Sequence, residues 1–290
     1  MGSVQSIQNP SSSYEEKTSK LGIDFQKSQL KKLRSSSTIF KSKRQMMKIG
    51  TFLNDKNFDF ISDDNLDRVC FITVNTYHRP DFHLGVGPMN DAYIVAYNHH
   101  RRGYKIFFLH NSTRDDFLTY FKYFVLNTKK ALTIFYAGRS TTLTRNYNIG
   151  DLNSNKIKAM VFEQGYVYDN EIGNILSNFK RNDAKIVLIS DCCHGGPVWN
   201  LNSAFHNFSY LPENMISISV QNSDDISDYD KILITNDGAF TIFFWKISND
   251  FPNITPKQLI KKIGPQLSKF SLSIVYHASS KDLDTKPIFI

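Results

Sequence analysis

The sequence predicts an α/β fold: a mostly parallel central sheet with helices on both faces, a three-layer sandwich. Two observations carry this. From about residue 68 onward, short apolar runs rich in β-branched residues alternate with segments of helical pattern. Such alternation implies parallel strands joined by covering helices. The clearest strand, residues 184–190, ends abruptly at Asp191-Cys192-Cys193-His194-Gly195-Gly196. Ligands of open α/β sheets bind beyond the carboxyl ends of the strands, so reactive side chains stand where such a fold does chemistry.

The elements follow in chain order. Val69 to Val74 reads as a strand, and residues 89–100 as a helix entered through Asn90-Asp91. Residues 104–109 form a strand. A helix then runs to about Leu126, capped by Ser112-Thr113, with Asp115 and Asp116 suiting the dipole of its first turn. Strands are expected over 131–136 and 157–162, a helix over 169–178, and strands over 184–190 and 215–220. Helices follow over 237–247 and 256–269, the latter with Pro256 tolerated in its first turn. Residues 272–276 close with a strand, and 286–290 read as a short edge piece. No internal repeat is present.

Length and composition bound the rest. At 290 residues with 41% hydrophobic content the chain can bury a sizeable core. No apolar run approaches the roughly 18 residues that span a bilayer, and the amino terminus lacks the apolar core of a signal peptide. The three cysteines, Cys70, Cys192 and Cys193, offer no disulfide framework, which points to a reducing, cytoplasmic setting. Of the net charge of +8, residues 1–50 hold +7, from ten Lys/Arg against Glu15, Glu16 and Asp24. Residues 1–60 therefore read as a basic, Ser-rich, largely disordered arm, and 61–290 as one near-neutral domain. A neutral body argues against a nucleic-acid groove.

A thiol attacks an amide as thiolate, and at a pKa of about 8.5 a free cysteine is only slightly ionised at neutral pH. The Asp191-Cys192-Cys193-His194-Gly195-Gly196 cluster resembles the Asp-x-Cys-His-Ser-Gly nucleophile motif of the metacaspase/caspase family. The resemblance implies a caspase-like sandwich with Cys193 as nucleophile. Cys192, Cys193 and His194 are too close in sequence to converge on one zinc ion, and Cys70 reads as a small buried hydrophobe.

The family's catalytic histidine stands in a Tyr/Phe-Ser-Gly-His-Gly motif after a preceding strand. Here Leu132-Thr-Ile-Phe-Tyr136 runs into Ala137-Gly138-Arg139-Ser140, so Arg139 occupies the histidine position. An arginine neither takes nor gives a proton at neutral pH, although its charge can lower the pKa of a nearby thiol. The resemblance places the oxyanion hole at the backbone N–H groups of Ser140 and Cys193. Sequence alone does not place His78, His83, His99, His100, His110, His206 or His277 beside Cys193.

The resemblance covers about residues 68–290. Gly85-Val-Gly-Pro-Met-Asn90-Asp91-Ala92 is similar to the family's Gly-Cys-x-Asn-Asp-Ala element. It implies that Asp91 and Asp191 line an acidic pocket for Arg or Lys. Asp91 can equally be a residue that suits the dipole of its own helix start. Ile216-Ser-Ile-Ser-Val220-Gln221-Asn222-Ser223-Asp224 and Asn236-Asp237-Gly238-Ala239-Phe240-Thr241 resemble later family segments. The calcium region of metacaspases looks depleted: Asp169, Asn170 and Asn200 remain, with Asn153-Ser154 where acid is expected. No metal or cofactor is therefore expected.

Met1-Gly2-Ser3-Val4-Gln5-Ser6 fits an N-myristoylation pattern, with Gly2 the acylated residue. Lys31, Lys32, Arg34, Lys41, Lys43, Arg44 and Lys48 supply the polybasic second signal that a single acyl chain needs at an anionic membrane. The expectation is a cytoplasmic protein held peripherally at the inner face of a membrane. It would be a metacaspase-like homologue with lost or strongly reduced proteolysis, regulating active family relatives or binding peptides that carry Arg or Lys. The alternative is an active cysteine endopeptidase cleaving after Arg or Lys.

Overall fold

The computed structural model describes residues 39–54, 61, 66–144, 156–178, 183–193, 198–199, 211–222 and 238–290, with 144, 156, 193 and 222 described by backbone alone. Among the described residues nine strands form one sheet: β1 (Gly50–Phe52), β2 (Arg68–Val74), β3 (Lys105–His110), β4 (Ala131–Thr144), β5 (Lys156–Phe162), β6 (Gly165–Tyr168), β7 (Lys185–Cys193), β8 (Met215–Asn222) and β9 (Leu272–Ala278). Their spatial order is β1-β3-β2-β4-β7-β8-β9. The pairs from β1 through β8 are parallel, and β9 closes the edge antiparallel to β8. The β5–β6 hairpin hangs from the far end of β4. The expected fold class, a mostly parallel sheet sandwiched by helices, is the one observed.

Side-chain alternation along each strand divides the core into two layers. Cys70, Ile72, Val74, Phe135, Ala137, Val187 and Ile189 pack with α1 (Ile39–Met46), α2 (Gly87–Arg101), α5 (Ala239–Asp250) and α6 (Pro256–Leu267). Val69, Phe71, Leu132, Ile134, Tyr136, Ile186 and Leu188 face α3 (Arg114–Asn127) and α4 (Asp169–Asn178). Burial on both faces explains why these strands read as continuous apolar runs. Capping boxes start two helices: Thr113 with Asp116 at α3, and Thr255 with Gln258 at α6, where Pro256 stands in the first turn.

Three expectations need correction. Residues 39–54, read from the sequence as part of the arm, belong to the same compact unit as the domain. α1 docks through buried Met46 and a Ser42 Oγ hydrogen bond to Asn90 Oδ1 (2.8 Å), and β1 adds an edge strand to β3. The averaged basic composition hides the apolar residues Ile39, Met46, Phe52 and Leu53. Of the polybasic set, Lys41, Lys43 and Arg44 lie on α1 and Lys48 just after it, with Lys43 Nζ 3.9 Å from the centre of the Phe52 ring. Second, residues 286–290 form no strand. Phe289 stacks on Trp245 at 5.1 Å, and the Ile288 N–H donates to the Ile254 carbonyl (3.0 Å). Pro287 has no N–H to offer a ladder. Third, α2 begins at Gly87, with Pro88 in its first turn, so Asn90 and Asp91 lie one turn inside the helix.

Candidate active site

Strand β4 is twice the length its apolar run suggests because it serves two partners. Ala131 to Arg139 pairs in parallel with β7, and Ser140 to Thr144 then pairs antiparallel with β5. The change of partner falls where the resemblance places the catalytic pair. In the β4–β7 register Ala137 stands opposite Asp191, Gly138 opposite Cys192 and Arg139 opposite Cys193. Two segments read separately from the sequence therefore become immediate neighbours at the carboxyl end of the sheet.

The main chain there is fixed by two tyrosines. The Arg139 N–H donates to the Tyr77 hydroxyl (2.7 Å), and the Tyr136 hydroxyl donates to the Arg139 carbonyl (2.7 Å). Tyr77 in turn donates to the Val161 carbonyl of β5 (2.9 Å), which also accepts from Asn75 Nδ2 (3.1 Å). A Cβ on Gly138 would fall 2.8 Å from the Tyr136 hydroxyl and 3.0 Å from that of Tyr77, so glycine is required by close approach. Tyr77 itself has φ of 61°, a left-handed conformation that a bulky residue adopts only under constraint. The constraint is Asn111, whose Oδ1 accepts from the N–H groups of Thr76 (2.8 Å) and Tyr77 (3.1 Å).

Arg139 is 8% exposed. Its Nε donates to the Phe82 carbonyl (3.0 Å), and its guanidinium carbon lies 5.7 Å from the centre of the Phe82 ring. Among the described residues it forms no ion pair, and its terminal nitrogens make no hydrogen bond. Of the five guanidinium donors, only that of Nε has a partner among the described residues.

The two aspartates gather at the start of α5. Asp191 Oδ2 accepts from Thr241 Oγ1 (2.7 Å), and the carboxylate also bonds the Thr241 backbone N–H. Gly238, the N-cap of α5, has no side chain to offer, so Asp191 caps the helix from β7. Burial nevertheless pushes the Asp191 carboxyl up to about 6, against the Thr241 bonds that favour the anion. Asp91 is buried, and its Oδ1 lies 2.8 Å from where a Cβ on Gly238 would be. Asp91 therefore does not serve the start of its own helix. Its carboxylate belongs to the same turn of α5 as that of Asp191, and glycine at 238, with φ of 79°, makes room for it.

Of the thiols, Cys70 is buried in β2, and burial raises its pKa well above the usual range. Cys192 is buried beneath Tyr136; burial pushes its thiol up to about 11, although the Ser140 and Ser190 hydroxyls bond it. Both are inert, protonated thiols at neutral pH. Ser140 is buried, and its side chain is engaged with Cys192. Cys193 ends β7 next to Arg139.

The histidines are dispersed. His99, on α2, is fully buried, its ring nitrogens on the Val95 carbonyl (3.0 Å) and Thr133 Oγ1 (3.0 Å), and burial pushes its pKa down to about 3. His110 bonds Thr76 Oγ1 (2.9 Å) and is pushed down to about 4. His78 is exposed beside Glu163 (3.1 Å). His277 pairs with Ser217, which pairs with Leu188, well short of the strand end. His83 follows Phe82, whose carbonyl holds the Arg139 side chain, and its Nδ1 lies on the Tyr77 carbonyl (2.9 Å).

Gly2, Lys31, Lys32, Arg34, Asn153, Ser154, His194, Asn200 and His206 lie outside the described residues. Among the described residues no group of three His, Cys, Asp or Glu side chains converges as a metal site, and no helix is long and apolar enough to cross a membrane. Sequence reasoning missed Tyr77, Tyr136, Phe82 and Thr241 as parts of the site. Only the aromatic residue before Ala137-Gly138-Arg139 carried a hint, because hydroxyl partners across 60 residues leave no local pattern.

No family model and no curated protein matches the chain. Among solved structures, the crystal structure of protein GSU0716 from Geobacter sulfurreducens is similar, with a TM-score of 0.54 and 14% identity over 77% of this chain and 99% of that one. At that identity the likeness is one of fold.

Proposed function

We propose that this chain is a metacaspase-like cysteine peptidase homologue that has lost or strongly reduced proteolysis and acts by binding basic peptide segments. The observation that carries it is the β4–β7 register, with Arg139 directly opposite Cys193. A peptidase needs at that place a group that takes the thiol proton and returns it to the leaving amine. A guanidinium can stabilise a thiolate but cannot return a proton. Loss of general acid–base catalysis typically costs about 10²–10⁴-fold in rate. Asp91 and Asp191 at the start of α5 offer carboxylates for an Arg or Lys side chain. Attachment to an anionic membrane through Gly2 and the basic arm, and regulation of active relatives, belong to the same reading; the motif and charge of residues 1–38 support the former.

A second reading, an endopeptidase cleaving after Arg or Lys, is favoured by His83, which follows the Phe82 that holds Arg139 and, among the described residues, bonds through Nδ1 alone. Turnover of reporter peptides with Arg or Lys before the cleaved bond, with and without calcium, separates the two. The expected result is negligible turnover by wild type and by Cys193→Ala, with activity rising at least tenfold in Arg139→His. Robust wild-type turnover that Cys193→Ala abolishes would overturn the proposal, and its loss in His83→Ala would name the base.

A further inference from the structure

Arg139 is nine-tenths buried, yet its guanidinium is held by one hydrogen bond from Nε and by the Phe82 ring. Burying a guanidinium with open donors is unfavourable unless an anion completes them. Among the described residues no ion pair joins Arg139 to a carboxylate, although Asp191 is close in the register. Asp191 stands opposite Ala137, two residues before Arg139. Strand spacing and rise then put the Cα atoms of Arg139 and Asp191 about 8 Å apart. The carboxylates are turned instead to the first turn of α5, at Gly238 and Thr241. The site therefore holds Arg139 and Asp191 on adjoining strands with no ion pair between them among the described residues. The backbone under Arg139 is fixed by Tyr77 and Tyr136, so the guanidinium is a placed group rather than a surface side chain.

A ligand that satisfies both halves carries an anion and a cation a few bonds apart. We propose that the site binds the free carboxyl terminus of peptides ending in Arg or Lys, the α-carboxylate paired with the Arg139 guanidinium and the basic side chain with Asp191 and Asp91. This rests on the acidic-pocket reading above and adds the carboxylate to it. Guanidinium and carboxylate pair through two parallel, charge-assisted hydrogen bonds, a geometry that an internal peptide bond cannot offer. Chain ends of this kind are left by endopeptidases that cleave after basic residues, so the site would recognise the products of such cleavage. No bond is made or broken.

The test is binding of fluorescent peptides to the full chain, measured by anisotropy. Four peptides of one sequence end in Arg with a free carboxylate, in Arg amide, in Ala with a free carboxylate and in Ala amide. The free-carboxylate Arg peptide is expected to bind roughly 10–100-fold more tightly than its amide, the range for a hydrogen bond to a charged group. Arg139→Gln should erase the acid-to-amide ratio and leave the Arg-to-Ala ratio. Asp191→Asn should reduce the Arg-to-Ala ratio and leave the acid-to-amide ratio. Equal binding of acid and amide by wild type, with Arg still preferred to Ala, would overturn the carboxylate inference and leave the acidic pocket standing. Equal binding of all four would overturn both. If Arg139→Gln does not fold, the wild-type comparison of acid with amide still decides.

Discussion

The two halves of strand β4 treat buried polar groups in opposite ways. In the half that crosses the core, the buried hydroxyl of Thr133 bonds the His99 ring, and on β7 Ser190 bonds Ser219 of β8 (2.8 Å). At the carboxyl end the groups are charged and their valences are left open or unfavourably held. Among the described residues the Arg139 terminal nitrogens have no hydrogen-bond partner, and Asp191 sits where burial works against its charge. Core polar groups of the first kind fix strand and helix register. Charges of the second kind cost stability, and a fold keeps them only where something else uses them. The difference supports the proposal that the carboxyl end is the working end of the sheet.

Substitutions in the two halves should separate accordingly. The largest effect is expected from Phe135→Ala in the core half. Phe135 is fully buried, and its truncation should lower unfolding free energy by about 3–5 kcal/mol, read by urea denaturation. Thr133→Val comes next. It strands a His99 ring nitrogen in the core and should cost about 1–3 kcal/mol while leaving peptide binding at the carboxyl end unchanged. A Thr133→Val protein that keeps its stability but loses peptide binding would break the division between the halves.

The sequence made the α/β alternation legible because the strands are buried on both faces and the helices carry their caps in sequence. The 169–178 helix and the Thr113 cap appear as expected. β1 and β6 did not show, being three and four residues long and defined by partners elsewhere. The extent of β4 was hidden because its second half pairs with a different strand. Arg139 and Cys193 were each identified by motif, but only the register makes them neighbours. Asp91 looked like an acid at its own helix start, because nothing local records that Gly238, some 150 residues later, packs against its carboxylate.

The most direct test of the central contrast is the stability of Asp191→Asn against wild type as a function of pH. The folded-state pKa of Asp191 is raised to about 6 from an ordinary 3.8. The folded chain therefore holds this proton more tightly than the unfolded chain, and its stability falls as pH rises from about 4 to 6. Asparagine keeps an acceptor for Thr241 without the charge. Urea unfolding should show Asp191→Asn more stable than wild type at pH 7, by up to about 3 kcal/mol, with the gain vanishing toward pH 4. A variant less stable than wild type across that range would contradict the contrast and make Asp191 an ordinary stabilising helix cap.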